Sequence, residues 1–215
     1  RVLDGAVALF SAAEGVQSQS ETVWRQANKH GVPRLAFVNK MDRVGADFDM
    51  CVEDIRVRFG VCALPFQLPL FEGEDFVGVI DLLRGVGLVF DEPSLGAVVR
   101  EVPIPEDLQE RAREATEAIY DQLLDGELPG EDLVAQYLQE GSLPIDTLLA
   151  LARKAVVTGG LVPVFCGAAR KNKGVQPLLD AVVSLLPSPL DVPAVVVPTL
   201  VCLQIQQRLV RGTIP

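Results

Sequence analysis

The sequence predicts an α/β fold, a parallel sheet interrupted by an inserted α+β subdomain, and three observations carry the prediction. Short apolar runs of the kind that form strands covered on both faces stand at residues 4–11 (DGAVALFS), 35–38 (LAFV) and 161–166 (LVPVFC). Amphipathic helical patterns accompany them at residues 20–30, 48–59 and 175–186. Between the last two of these helices the texture changes to short apolar pieces broken by Gly, Pro and acidic residues, which reads as a small antiparallel sheet followed by helices.

Taken in order, strand 4–11 leads through Glu14-Gly15 into a helix with Ser20 as its N-cap and Val23 and Ala27 on one face. Gly31 and Pro33 stop that helix, His30 lies at its negative C-terminal end, and Trp24 is a packing residue. Strand 35–38 completes a right-handed βαβ crossover. Phe48, Val52, Ile55 and Phe59 mark the buried face of the next helix, which ends at Gly60. Apolar pieces at 63–70, 76–83, 88–90 and 98–104 supply the antiparallel strands. Residues 105–125 then form a helix with Glu106 and Asp107 in its first turn, a stripe of Leu108, Ala112, Ala115, Ile119 and Leu123, and Gly126 as its stop. Helices at 131–140 and 145–158 complete the insert; strand 161–166 and helix 175–186 resume the first sheet. Pro187, Pro189 and Pro193 form a semi-rigid linker. The expected division is 1–62 and 161–187 for the parallel-sheet domain, 63–160 for the insert, and 188–215 for the linker and a tail without clear period.

A net charge of −10 gives no global attraction to phosphate backbones or anionic lipid, so nucleic acid and membrane are not expected partners of the bulk surface. Cys51, Cys62, Cys166 and Cys202 are scattered without a Cys-x-x-Cys pair, and His30 is the single histidine, which points away from a zinc site or a disulfide framework. A reducing, intracellular compartment fits, and Cys166, on a buried strand, reads as an inert small hydrophobe. The chain starts at Arg1 and not at methionine, from which we expect a fragment, a processed product or a partial reading frame.

In an open parallel sheet, ligands bind beyond the carboxyl ends of the strands. Strand 35–38 runs directly into Asn39-Lys40-Met41-Asp42. These residue types suit guanine: the Asp42 carboxylate can accept from N1–H and the exocyclic amine, adjacent donors that adenine does not present. The Asn39 amide can donate to the base edge and tie neighbouring loops, and the Lys40 stem can lie across the ring. A mismatched base would leave a buried carboxylate facing an acceptor, at about 1–3 kcal/mol per mismatch. The second strand end, Cys166-Gly167-Ala168-Ala169 and then Arg170, Lys171, Asn172, Lys173 and Gly174, can supply a backbone N–H to guanine O6 and a small residue beside the base. Its basic residues read as a solvated helix start.

Residues 1–48 (RVLDGAV…QSETVWRQANKHGVPRLAFVNKMDRVGADF) and 162–193 (VPVFCGAARKNKGVQPLLDAVVSLLPSPLDVP) resemble elongation factor G of the translational GTPase family. The resemblance implies a partial GTPase-type parallel sheet with that family's extra subdomain inserted. It implies GTP/GDP base contacts at Asn39, Lys40, Met41, Asp42, Gly167, Ala168 and Ala169, where Ala168 stands in a position usually held by serine. It also implies the ribosome as partner, reached at the stalk through the insert, a cytoplasmic location with mitochondrial and plastid forms left open, and Mg²⁺ in the complete family member. Other translational GTPases, of release-factor or ribosomal-protection type, share Asn-Lys-x-Asp, and a non-catalytic remnant that engages the ribosome is an alternative of a different class.

The phosphate half of such a site needs G-x-x-x-x-G-K-[ST], a switch threonine and D-x-x-G. The dipeptide Gly-Lys does not occur, and Asp42-Arg43-Val44-Gly45 overlaps the base motif after the wrong strand. Base contacts alone, at roughly −0.3 kcal/mol per heavy atom, predict affinities between about millimolar and tens of micromolar, and GTP hydrolysis by this chain alone is not expected. The sheet is also expected to leave an uncovered edge.

Overall fold

The structure, a computed structural model, describes residues 3–91, 98–125, 131–188 and 191. Its elements are β1 (Ala6–Ser11), α1 (Ser18–Lys29), β2 (Arg34–Asn39), α2 (Phe48–Phe59), β3 (Ala63–Pro65), β4 (Gln67–Glu72), β5 (Asp75–Asp81), β6 (Val86–Phe90), β7 (Val99–Val102), α3 (Glu106–Leu124), α4 (Glu131–Glu140), α5 (Ile145–Val157), β8 (Val162–Cys166) and α6 (Val175–Leu185). They form the predicted α/β fold with an inserted subdomain. One sheet is parallel, in the order β1-β2-β8-β3, and the other is antiparallel, in the order β4-β5-β6-β7.

The central strands of the parallel sheet are apolar because both of their faces are covered. Leu35, Ala36, Phe37 and Val38 are all at most 1% exposed, and every residue of β8 is buried. Against β1 lies an aromatic seam: Trp24 of α1 stacks on Phe59 of α2 with ring centres 4.1 Å apart, and Phe10 of β1 meets both rings at 6.2 and 6.1 Å. Burying each such ring contributes about 2–3 kcal/mol, so this seam anchors α1 and α2 to the sheet. The Arg34 guanidinium lies 4.4 Å over the Trp24 ring, which covers the outer side of the seam. α2 starts where Asp47 accepts the Met50 N–H at 2.9 Å.

Several expectations need correction. α1 begins two residues early, with Gln17 and not Ser20 in the N-cap position and with no side-chain capping bond. Val23 is 62% exposed, and Trp24, one position on, occupies the buried face, because the larger ring takes the contact with β1. The apolar run 63–70 is not one strand of the insert. Ala63–Pro65 pairs in parallel with β8 at the edge of the first sheet, and β4 opens the second sheet. Phe66 is the joint between them: its N–H donates to the Val164 carbonyl at 2.9 Å, and its carbonyl accepts the Leu82 N–H at 3.2 Å. A continuous apolar run carries no mark of a switch between sheets.

Within the insert, Ala112, Ile119, Tyr120 and Leu123 are the buried residues of α3, with Leu108 and Ala115 half-buried beside them. α5 packs against α6, and Arg153 of α5 donates to the Val183 and Ser184 carbonyls at 3.3 and 3.0 Å. Among the described residues β1 lies at one edge of the parallel sheet, and its Leu9 side chain is 61% exposed. Gly126, Pro189, Pro193 and the tail 195–215 lie outside the described residues. No helix among the described residues is long and apolar enough to cross a membrane.

Candidate functional site

The carboxyl ends of β2 and β8 lie side by side, since Ala36, Phe37 and Val38 pair with Val164, Phe165 and Cys166. The chain leaves both strands together, and backbone bonds keep the two loops in contact: Gly167 N–H donates to the Val38 carbonyl at 3.0 Å, and Met41 N–H to the Gly167 carbonyl at 3.1 Å.

Asn39 is the fastening between the loops. Its Oδ1 accepts the N–H of Lys40 at 2.8 Å and the N–H of Ala169 at 3.0 Å. The first bond supports Lys40 in a left-handed conformation at φ 67°, uncommon for a residue with a side chain. The second ties the loop after β2 to the loop after β8. The Nδ2 group makes no hydrogen bond among the described residues, so the donor end of the amide is available to a ligand. The tie between the loops is the one that the residue types suggest.

The loop after β8 is closed on itself. Ala168 N–H donates to the Lys173 carbonyl at 2.9 Å and the Ala168 carbonyl accepts from Lys171 and Lys173, while Asn172, at φ 55°, turns the chain back. Two glycines allow this close approach. A Cβ on Gly167 would lie 2.4 Å from the Lys173 carbonyl oxygen and 2.8 Å from Phe37 Cζ; one on Gly174, itself at φ 84°, would lie 2.5 Å from the Cys166 oxygen.

The seven expected site residues are thus adjacent, with three departures from the expected roles. Met41 is 2% exposed and packs in the core, so its side chain is structural. Ala168 is 1% exposed and its backbone N–H and carbonyl are both bonded, so the loop closes without the serine hydroxyl. The Ala169 N–H, a candidate donor to guanine O6, already donates to Asn39, and a base oxygen would have to share or exchange that bond. Asn39 and Lys40 remain half-exposed, and Asp42 is exposed.

Of the lysines in the solvated helix start that the sequence suggests, Lys171 is exposed and Lys173 is not. Lys171 Nζ stands 3.6 Å from Asp42 Oδ2, an exposed pairing of the carboxylate that would face the base. Lys173 is 3% exposed and donates from Nζ to the Phe76 carbonyl of β5 at 2.9 Å. No composition rule would have found it, because lysine is almost never buried.

Burial raises the Cys166 thiol well above its ordinary range and pushes Cys51 up to about 11, which keeps both as thiols near neutrality. Among the described residues, no group of three or more His, Cys, Asp or Glu side chains is placed to hold a metal ion.

The family model described as the elongation factor Tu GTP-binding domain matches residues 1–188. A crystal structure of a protein from Thermus thermophilus is similar at 32% identity with a TM-score of 0.75, over 86% of this chain and 27% of that one. The present chain therefore spans about a quarter of the length of that relative.

Proposed function

Because the chain belongs to the elongation factor Tu GTP-binding domain family, whose members bind guanine nucleotides, we propose that it carries the base-recognition half of a translocating GTPase of elongation factor G type. The observation that carries this reading is the Asn39 fastening, which brings the Asn-Lys-x-Asp loop and the Gly167–Ala169 loop to one rim across 130 positions of sequence.

On this reading Asp42 accepts from guanine N1–H and the exocyclic amine after leaving Lys171, Asn39 Nδ2 donates to the base edge, and the Lys40 stem covers a ring face. The rim sits where a parallel sheet binds ligands, beyond the carboxyl ends of adjacent strands. Gly167 and Ala168 hold the opposite wall, and Ala169 N–H meets O6 by sharing its bond with Asn39. The insert, through the acidic face of α3, engages the ribosomal stalk, and the working compartment is the cytoplasm. When Mg²⁺ and the phosphates are bound in a complete member of the family, they supply charge neutralisation for phosphoryl transfer; the residues described here serve the base.

The test is a titration of the 215-residue chain with GDP, ADP and XDP. GDP is expected to bind at least tenfold more tightly than ADP, and Asp42→Asn to move the preference to XDP, whose edge is complementary to an amide. An Asp42→Asn chain that keeps the wild-type order of affinities would sink the reading.

A further inference from the structure

Lys173 is bonded at both ends. Its backbone closes the base-recognition loop on Ala168, N–H to carbonyl at 3.2 Å and carbonyl to N–H at 2.9 Å. Its side chain runs inward, 3% exposed, and Nζ donates to the Phe76 carbonyl 97 residues away in sequence. Phe76 is itself held firmly: it is 3% exposed, lies in β5 of the inserted antiparallel sheet, and meets Phe71 edge-on at 5.7 Å. A buried ammonium carries a large desolvation cost, and this position keeps one where an aliphatic side chain would fill the space without it. The loop it closes has little slack, since Cβ atoms on Gly167 or Gly174 would collide with backbone oxygens at 2.4 and 2.5 Å.

We infer that Lys173 is a positioning residue for base recognition, fastening the 167–174 loop to the inserted sheet so that Ala169 N–H is presented at Asn39. The insert is then part of what shapes the site. The link to guanine rests on the function proposed above; the fastening of the loop does not.

The experiment compares wild type, Lys173→Met and Lys173→Arg in the full 215-residue chain by two measurements. The first is amide hydrogen exchange of Ala169 and Ala168 without nucleotide, with Phe37 and Val38 of β2 as internal reference. The second is affinity for GDP and for ADP. Lys173→Met is expected to speed Ala168 and Ala169 exchange and to weaken GDP about tenfold, the scale of one charge-assisted hydrogen bond. ADP binding and β2 exchange should stay unchanged, and Lys173→Arg should recover most of both losses. Unchanged Ala169 protection in Lys173→Met overturns the fastening whatever the chain binds, and so does a uniform rise in exchange through β2, which marks general destabilisation. A wild-type chain without preference for GDP over ADP overturns the guanine reading and, with it, the positioning role, even where the loop loosens. Should Lys173→Met not fold, Lys173→Gln, which keeps a donor, is compared with Lys173→Arg by the same criteria.

Discussion

Replacing Asn39 separates the loop fastening that its Oδ1 makes from the base contact proposed for its Nδ2. Asn39→Ala removes the acceptor of two backbone N–H bonds, at 2.8 and 3.0 Å, and leaves Lys40 at φ 67° without the bond that supports it. Each lost bond is worth about 0.5–1.5 kcal/mol, and Ala169 is exposed enough for its N–H to find water, which puts that bond at the lower end. The expected loss is about 1–2 kcal/mol, or roughly 2–8 °C in Tm for a chain of this size. Asn39→Asp keeps an oxygen for both N–H groups but has no donor for the base. It should lose less than about 0.5 kcal/mol of stability while GDP affinity falls at least tenfold. Urea unfolding and GDP titration of the two variants decide the matter. If Asn39→Ala proves as stable as wild type, the fastening contributes nothing; if Asn39→Asp binds GDP normally, the amide is not a base donor.

The geometry sets three further outcomes. Gly167→Ala should destabilise the chain by about 1–3 kcal/mol, because the added methyl would lie 2.4 Å from the Lys173 oxygen and 2.8 Å from Phe37, and the urea midpoint reports it. Burial raises the Asp81 carboxyl above its ordinary range, against the opposing effect of bonds from the Arg84 and Leu83 N–H groups. The folded state then holds a proton that the unfolded chain has released, so this group's contribution to stability falls as pH rises from the usual carboxylate range through the folded value. Asp81→Asn should accordingly gain on wild type between about pH 4 and pH 7, as judged by denaturant midpoints at those two values. Finally, Cys51 and Cys166 should resist alkylation at about pH 8 in the native chain and react fully in urea, as peptide mapping by mass would show.

The parallel sheet was legible because its strands are buried on both faces and its helices are amphipathic, two patterns that survive in the residue order itself. Phe48, Val52, Ile55 and Phe59 mark α2 with the bounds the structure gives it. The position of the Asn-Lys-x-Asp loop was legible because it follows a buried strand directly. What could not be read is long-range. That Ala63–Pro65 belongs beside β8 depends on a partner strand 99 positions away, as Ala63 pairs with Val162. Lys173 looks like any surface lysine until Phe76 is beside it. Trp24 displaced Val23 from the buried face of α1 because Phe10 and Phe59 offer a seat for a large ring, and neither is near it in sequence.

The Asn39–Ala169 bond also sets a clock on synthesis. At about 5–20 residues per second, the 130 positions that separate its partners take roughly 7–26 s to emerge, and throughout that interval the Asn-Lys-x-Asp loop has no second wall. Closing a flexible loop of that length costs about 4 kcal/mol in chain entropy, whereas an insert that has already folded reduces the free segment to a few connecting residues. The nascent chain thus has reason to complete its insert first, and until it does the two halves of the rim stand apart.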